Sequence, residues 1–245
     1  MSFDPRDLPL RNPLTLAQLE TCLDELLALL PQQEVIQVVD VGCGNGEVLA
    51  RLRERRLARQ AADAEVLGID PDGAALARAA TRHAEIARAH AAAELAEARW
   101  EARGWQSEGD ASGPWHVAIC LGSRHAFGDG PDAASTMVQQ LAARLLPDGC
   151  LFLADGYWRQ PPDADYLVST GLSDDELAPI ESWHACFDAA GLQQVHEERV
   201  SKEAFEEYER PFWAQGGAHW DNWRRAFERW GRDTMGFAGW VLKRR

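Results

Sequence analysis

The residues best placed to do chemistry lie in one short run, Asp40-Val41-Gly42-Cys43-Gly44-Asn45-Gly46, and in a single acid downstream, Asp70. Three glycines at alternate positions follow an apolar stretch and precede a helical pattern. Glycine suits such a turn because the chain must bend tightly and let a ligand lie against bare main chain that a Cβ would obstruct. Asp70 ends a second apolar run, Val66-Leu67-Gly68-Ile69, and stands 24 residues after Gly46. A carboxylate ending a second strand can accept hydrogen bonds from both hydroxyls of a ribose. These residues therefore predict a nucleoside-bearing ligand.

Two ligand classes compete for such a site. Dinucleotides favour G-x-G-x-x-G, which brings a helix N-terminus up to a pyrophosphate. Here the third glycine comes one residue early, and Asp40 sits inside the first strand, two residues before the first glycine. S-adenosylmethionine has no phosphate; it carries an ammonium, a carboxylate and a sulfonium. Its site wants backbone amides for the carboxylate and acidic side chains near the cationic end, and Asp40 supplies the latter.

The surrounding pattern says what positions these groups. A leucine stripe over 15–30, with Thr15 as N-cap and Pro31 as stop, predicts a first helix. A strand over 35–41 leads into the glycine loop and a helix over 47–60. The second strand is followed by an alanine-rich helix from Asp72 or Gly73 to about Ala98 and a third strand over 99–103. Further along come a strand over 117–121, a helix over 137–146, the turn Pro147-Asp148-Gly149 and a strand over 150–154. An aromatic, proline-bearing loop over 156–162, a helix over 180–190, a strand over 192–200, a long helical region over 202–232 and a last strand over 236–242 complete the chain. Alternating strands and helices predict an α/β fold: a Rossmann-like, doubly wound, mostly parallel sheet of about seven strands, helices on both faces and a helical C-terminal elaboration. We expect one domain over 1–245, with an N-terminal helical segment (1–34), a cofactor-binding core (35–156), a helical cover carrying the substrate region (157–235) and the last strand (236–245). Residues 1–14 are expected to wrap the surface. Trp220, Trp223, Phe227 and Trp230 share one helical face, which reads as packing against the sheet. Arg51, Arg53, Arg55, Arg56 and Arg59 read as a solvated face near a helix C-terminus.

Composition narrows the partners. A net charge of −14 in 245 residues excludes nucleic acid, and disfavours an anionic membrane surface, because phosphate binding needs clustered cations. No apolar run approaches the roughly 18 residues of a membrane span. Lys202 and Lys243 are the only lysines and lie far from the glycine loop, which argues against lysine-based covalent chemistry. Five scattered cysteines without a C-x-x-C pair predict reduced thiols in a cytoplasmic protein, with Cys43, Cys120 and Cys150 as small core residues. The histidines are dispersed, so no metal site is expected, and His184, His196 and His219 read as ordinary surface or core residues. The chain is expected to be a monomer or homodimer.

With these residues in place, the chain resembles the class I S-adenosylmethionine-dependent methyltransferases over most of its length. Val39-Asp40-Val41-Gly42-Cys43-Gly44-Asn45-Gly46 resembles their first motif, Gly68-Ile69-Asp70-Pro71 the ribose-holding segment, and Leu145-Leu146-Pro147-Asp148-Gly149-Cys150-Leu151 the turn into strand five. Leu121-Gly122-Ser123-Arg124-His125-Ala126-Phe127-Gly128, Asp155-Gly156-Tyr157-Trp158-Arg159-Gln160-Pro161-Pro162, Glu207-Tyr208-Glu209 and Arg232-Asp233-Thr234-Met235-Gly236-Phe237 resemble a small bacterial subfamily of unassigned substrate.

The resemblance implies S-adenosylmethionine as cofactor, S-adenosylhomocysteine as product, and cofactor contacts at Asp40, Gly42, Cys43, Gly44, Gly46, Asp70, Pro71, Leu121 and Gly122. The family's adenine-binding Asp after strand three falls here on Gly104, with Trp105 next. Backbone and the Trp105 ring hold adenine, or Glu108 or Asp110 replaces the acid from the following loop. His125, after strand four, is the candidate base because imidazole titrates in the useful range. Asp155 is the candidate for binding a substrate cation or orienting His125, and Tyr157, Trp158 and Arg159 for a wall against a small-molecule acceptor at O, N or C. The competing functions are a protein methyltransferase, which wants an open groove, a non-catalytic adenosyl-ligand binder, and, against the glycine spacing, a dinucleotide-dependent oxidoreductase.

Overall fold

The computed structural model describes residues 3–90, 95–106 and 113–245. Val38, Val39 and Val41 are all buried although neighbours along a strand face opposite ways. That is the mark of a central strand covered on both faces. They belong to β1 (Ile36–Val41), joined by β2 (Ala64–Ile69), β3 (Ala98–Glu101), β4 (Trp115–Leu121), β5 (Leu145–Trp158), β6 (Leu192–Arg199) and β7 (Met235–Arg244). The seven strands form one sheet in the order β3-β2-β1-β4-β5-β7-β6, parallel except for β7, which runs antiparallel to both neighbours. The strand order reverses between β1 and β4, and the crevice outside their carboxyl ends is where such sheets take ligands.

Among the described residues, eight helices of seven residues or more flank the sheet: α1 (Leu16–Ala28), α2 (Glu47–Ala58), α3 (Gly73–Ala89), α4 (Ala133–Ala142), α5 (Ala164–Thr170), α6 (Ile180–Ala189), α7 (Lys202–Trp213) and α8 (Ala218–Ala226). Thr15 and Gln18 cap α1 reciprocally, and its leucine stripe buries Leu19, Leu23, Leu26 and Leu27 against Ile36, Val38, Phe152 and Val241. On the opposite face α4 and α6 bring Met137, Leu141, Trp183 and Phe187 onto Leu151, Leu153 and Trp240.

Several expectations need correction. The alanine-rich helix stops at Ala89, and β3 begins at Ala98, where the helix was expected to end. Helix α4 lies four residues earlier than expected at each end, and Leu145 already opens β5. Residues 155–158, expected to start a loop, extend β5 because β7 pairs with them: Tyr157 stands opposite Gly236 and Trp158 opposite Met235. The Tyr157 ring fills the space a Cβ on Gly236 would take. The long C-terminal helical region breaks at Gly216-Gly217, both with positive φ, and ends in a π-helical turn, Phe227–Gly231. On its shared aromatic face only Phe227 is buried; the tryptophans there are half-buried. Trp220 meets Phe212 of α7 and Trp230 meets Tyr166 of α5, so these tryptophans pack on helices, whereas Phe227 joins the core cluster that holds Phe237 and Val241 of β7. The α2 arginines are not one solvated face. Arg51, Arg55 and Arg59 pair with Glu20 and Asp24 of α1, whereas Arg53 is buried on Asp63 and Arg56 is buried on the carbonyls of Pro31, Glu34 and Ala62.

Candidate functional site

A cavity of about 710 Å³ opens at the carboxyl ends of β1, β2 and β4. Its size falls in the range of roughly 300–1,000 Å³ usual for small-ligand sites. Asp40, Gly42, Cys43, Gly44, Asp70, Pro71, Gly104, Trp105, Leu121, Gly122 and His125 all line it. The structure thus brings together residues that the sequence spreads over 86 positions, from Asp40 to His125.

The glycine loop is built by its own hydrogen bonds. Gly42 and Cys43 donate to the carbonyl of Ile69 at 2.8 and 3.2 Å, and Gly46 donates to Cys43 at 2.9 Å. Gly44 donates to Asp70 Oδ2 at 2.9 Å, and Asn45 Oδ1 accepts from the Glu47 amide at 3.2 Å. Gly42 and Gly46 both sit at positive φ, where a side chain is strained. Their bare Cα atoms serve packing: a Cβ on Gly42 would overlap the Ser123 side chain, and one on Gly46 would lie 2.7 Å from Ala79 and 3.0 Å from Trp100. Gly46 does not line the cavity; only Gly44 leaves open space towards the ligand side.

Asp70 ends β2 with both oxygens engaged once, Oδ2 by Gly44 and Oδ1 by the Asp72 amide at 2.8 Å. Each oxygen keeps a lone pair for a ligand hydroxyl. The side chain of Asp40, a residue at 2% exposure, makes no hydrogen bond among the described residues. Burial first, and the nearby Asp70 second, push its carboxyl up to about 8. A buried acid that faces a cavity without a partner among the described residues has the chemistry to receive a cation, which would restore its charge.

The adenine end differs from expectation. Gly104 and Trp105 line the cavity, but Trp105 is held by Gln140 through its Nε1 at 2.8 Å, with Phe127 at 5.5 Å and the Arg144 guanidinium at 5.1 Å from its ring. The ring is a packed wall rather than a free stacking face. Glu108 and Asp110 lie outside the described residues.

His125 sits exposed on the 3₁₀ turn Arg124–Phe127 at the cavity wall. Asp155 does not line the cavity. It is buried behind that turn, Oδ1 accepting from Gly156 at 2.7 Å and Oδ2 without a partner. Burial pushes its carboxyl up to about 6, against the lowering charges of Arg124 and His125. The expected acceptor wall is not there: Tyr157, Trp158 and Arg159 are all absent from the cavity lining. Tyr157 and Trp158 are buried, Trp158 bonding the carbonyl of Asp174 at 2.9 Å. Arg159 holds the carbonyls of Met235 and Val200, each at 2.8 Å. The β5–β7 pairing commits Tyr157 and Trp158 to packing, and Arg159 is committed by its own hydrogen bonds.

Sequence reading missed a whole wall. Pro9, Leu10, Arg11 and Asn12 line the cavity from the N-terminal segment, which is pinned by a bond from Asn45 Nδ2 to the Leu8 carbonyl at 3.0 Å. That segment has no helical or strand period, so only its tertiary contacts reveal its place. Among the described residues no helix is long and apolar enough to cross a membrane.

Comparison with known proteins accords with this geometry. The structure of a methyltransferase from Geobacter sulfurreducens, described as S-adenosylmethionine-dependent and solved with S-adenosylhomocysteine, is similar with a TM-score of 0.75 and 20% identity, covering 98% of this chain and 96% of that one. One from Thiobacillus denitrificans, also with S-adenosylhomocysteine, gives 0.73 and 17%, covering 98% and 96%. The geranyl diphosphate C-methyltransferase of Streptomyces coelicolor, in complex with Mg²⁺, geranyl-S-thiolodiphosphate and S-adenosylhomocysteine, gives 0.64 and 13%, covering 94% and 76%. At these identities the likeness is one of fold. No curated protein matches the chain. A family model described as a methyltransferase domain matches residues 16–209, and by that match the chain belongs to the methyltransferase-domain family.

Proposed function

We propose that this methyltransferase moves a methyl group from S-adenosylmethionine to a small-molecule acceptor at O, N or C, releasing S-adenosylhomocysteine. The observation that carries this reading is the pair of carboxylates, Asp40 and Asp70, facing one cavity beside the glycine loop. Asp70 takes the ribose hydroxyls on its remaining lone pairs, and Asp40 takes the ammonium. Adenine lies between Gly104 and Trp105 on one side and Leu121 and Gly122 on the other. A dinucleotide would bring a pyrophosphate against two acids, which repel it.

The sulfonium is already a good leaving group, so holding donor and acceptor in line can supply up to about 7–11 kcal/mol of the barrier. The acceptor occupies the part of the cavity bounded by Ser123, His125 and the N-terminal segment. His125 takes the acceptor's proton where one must leave. Asp155 does not touch the acceptor; it acts on the Arg124–His125 turn from behind, as a positioning residue. A small molecule in that space is consistent with the ligand carried by the geranyl diphosphate neighbour.

The test is a metabolite library incubated with methyl-labelled S-adenosylmethionine. Label in a low-molecular-weight product supports the reading; label only in protein contradicts the acceptor class. Calorimetry with S-adenosylhomocysteine and NAD separates the ligand classes, and tight binding of NAD alone would overturn the methyltransferase chemistry.

A further inference from the structure

We propose that Arg11, on the N-terminal segment, is the cation that holds the α-carboxylate of the cofactor, so that the ligand's zwitterionic end is gripped between Arg11 and Asp40. The assignment rests on S-adenosylmethionine being the cofactor.

The glycine loop is a poor carboxylate receptor by itself. Five of its amides, those of Gly42, Cys43, Gly44, Gly46 and Glu47, already donate within the loop or to β2 and Asp70. Helix α2 begins after Gly46 without a side-chain cap. A carboxylate brought here, close to Asp40 and Asp70, needs a positive partner, because two acids surround it.

Among the described residues, the basic side chains lining the cavity are Arg11, Arg103 and His125. Arg103 lies at the Gly104–Trp105 end of the cavity rather than over the glycine loop: its Nε pairs with Glu101 at 2.7 Å and its Nη1 bonds the Gly104 carbonyl at 3.2 Å, with Nη2 unpartnered among the described residues. His125 lies on the β4 side. Arg11 makes no ion pair or hydrogen bond with the described residues, and its side chain lies over the glycine loop, Cδ 3.9 Å from where a Gly44 Cβ would stand. The neighbouring Asn12 is buried at 6% exposure and lines the same cavity. Its Oδ1 accepts from Leu14 at 3.1 Å, and its Nδ2 makes no hydrogen bond with the described residues. Arg11 and Asn12 thus both line the cavity from one segment.

That segment is held in position independently of any ligand. Phe3 meets Phe212 of α7 edge-on at 5.2 Å, Asp4 and Asp7 pair with Arg78 of α3 at 3.4 and 2.6 Å, and the Leu8 carbonyl accepts from Asn45. The main chain that carries the exposed Arg11 side chain is thus fixed without a ligand, and a planar fork suits a carboxylate better than an ammonium does.

The experiment compares two probes: S-adenosylhomocysteine, and its decarboxylated analogue S-adenosyl-3-thiopropylamine, which keeps the ammonium. Wild type, Arg11→Ala and Arg11→Lys are titrated with both. Arg11→Ala weakens S-adenosylhomocysteine by roughly 10–100-fold, the scale of a lost charge-assisted bond, and leaves the decarboxylated analogue within about twofold. Unchanged binding of that analogue also shows the variant is folded. Arg11→Lys falls between. An equal loss for both probes, or no loss for either with a raised KM for the acceptor, overturns the assignment. Failure of wild type to bind either probe overturns the cofactor reading instead.

Discussion

The proposed contact between Asp40 and the ligand's ammonium predicts a cofactor affinity that depends on pH. In the free protein its carboxyl is held at about 8 by burial and by Asp70. Binding an ammonium requires the ionised form, so below about 8 each ligand that binds must expel a proton. One pH unit corresponds to about 1.4 kcal/mol. Between about pH 6 and pH 8 the affinity for S-adenosylhomocysteine therefore rises roughly 50-fold, and about 0.9 proton is released per ligand near pH 7. The sign on stability is opposite. A carboxyl raised in the folded state contributes stability below its ordinary value of 3.8, and that contribution is lost as pH rises through about 8. Near pH 7 the loss amounts to about 4 kcal/mol. Asp40→Asn, which cannot ionise, thus raises the melting temperature of the ligand-free protein, weakens the ligand and flattens its pH dependence. Calorimetry in two buffers of different ionisation enthalpy measures the released proton directly. A wild-type affinity that is level from pH 6 to pH 8, with no proton released, refutes this reasoning.

Other variants report on the remaining contacts. Asp70→Ala weakens S-adenosylhomocysteine by about 1–3 kcal/mol through unpaired ribose hydroxyls; unchanged affinity in a titration removes Asp70 from the site. His125→Ala lowers turnover by roughly 10²–10⁴ while the dissociation constant for S-adenosylhomocysteine stays put, and normal turnover dismisses it as base. Gly42→Ala forces a Cβ into Ser123 at a positive φ. It lowers the melting temperature by about 2–4 °C for each kcal/mol lost, and Ser123→Gly in the same chain restores part of it; a melt that does not shift contradicts the packing role.

The central strands and the ligand loop were legible because their signals are local. A strand buried on both faces shows as an unbroken apolar run, and Gly42, Gly44 and Gly46 stand where β1 must turn into α2. Asp70 was legible for the same reason, as the acid that ends an apolar run. What stayed hidden depends on partners distant in sequence. Tyr157 and Trp158 look like loop residues until β7 is laid beside them, with Gly236 opposite Tyr157 and 79 residues on from it. Asp155 is buried behind the Arg124–Phe127 turn and off the cavity, because β5 runs on past it and pairs it with Ala238 of β7. The alanine tract before β3 has no apolar stripe to mark where its helix stops. Arg11 gave no sign at all, since an arginine in an aperiodic segment is ordinary until the fold sets it over Gly44.

The most direct test of the account is a crystal structure with S-adenosylhomocysteine. It should place the ribose hydroxyls within hydrogen-bond distance of Asp70 and the ammonium against Asp40, with the thioether sulfur directed towards Ser123 and His125. Density for the ligand outside this cavity, or a cavity whose Asp40 and Asp70 carboxylates touch no part of it, would contradict the account.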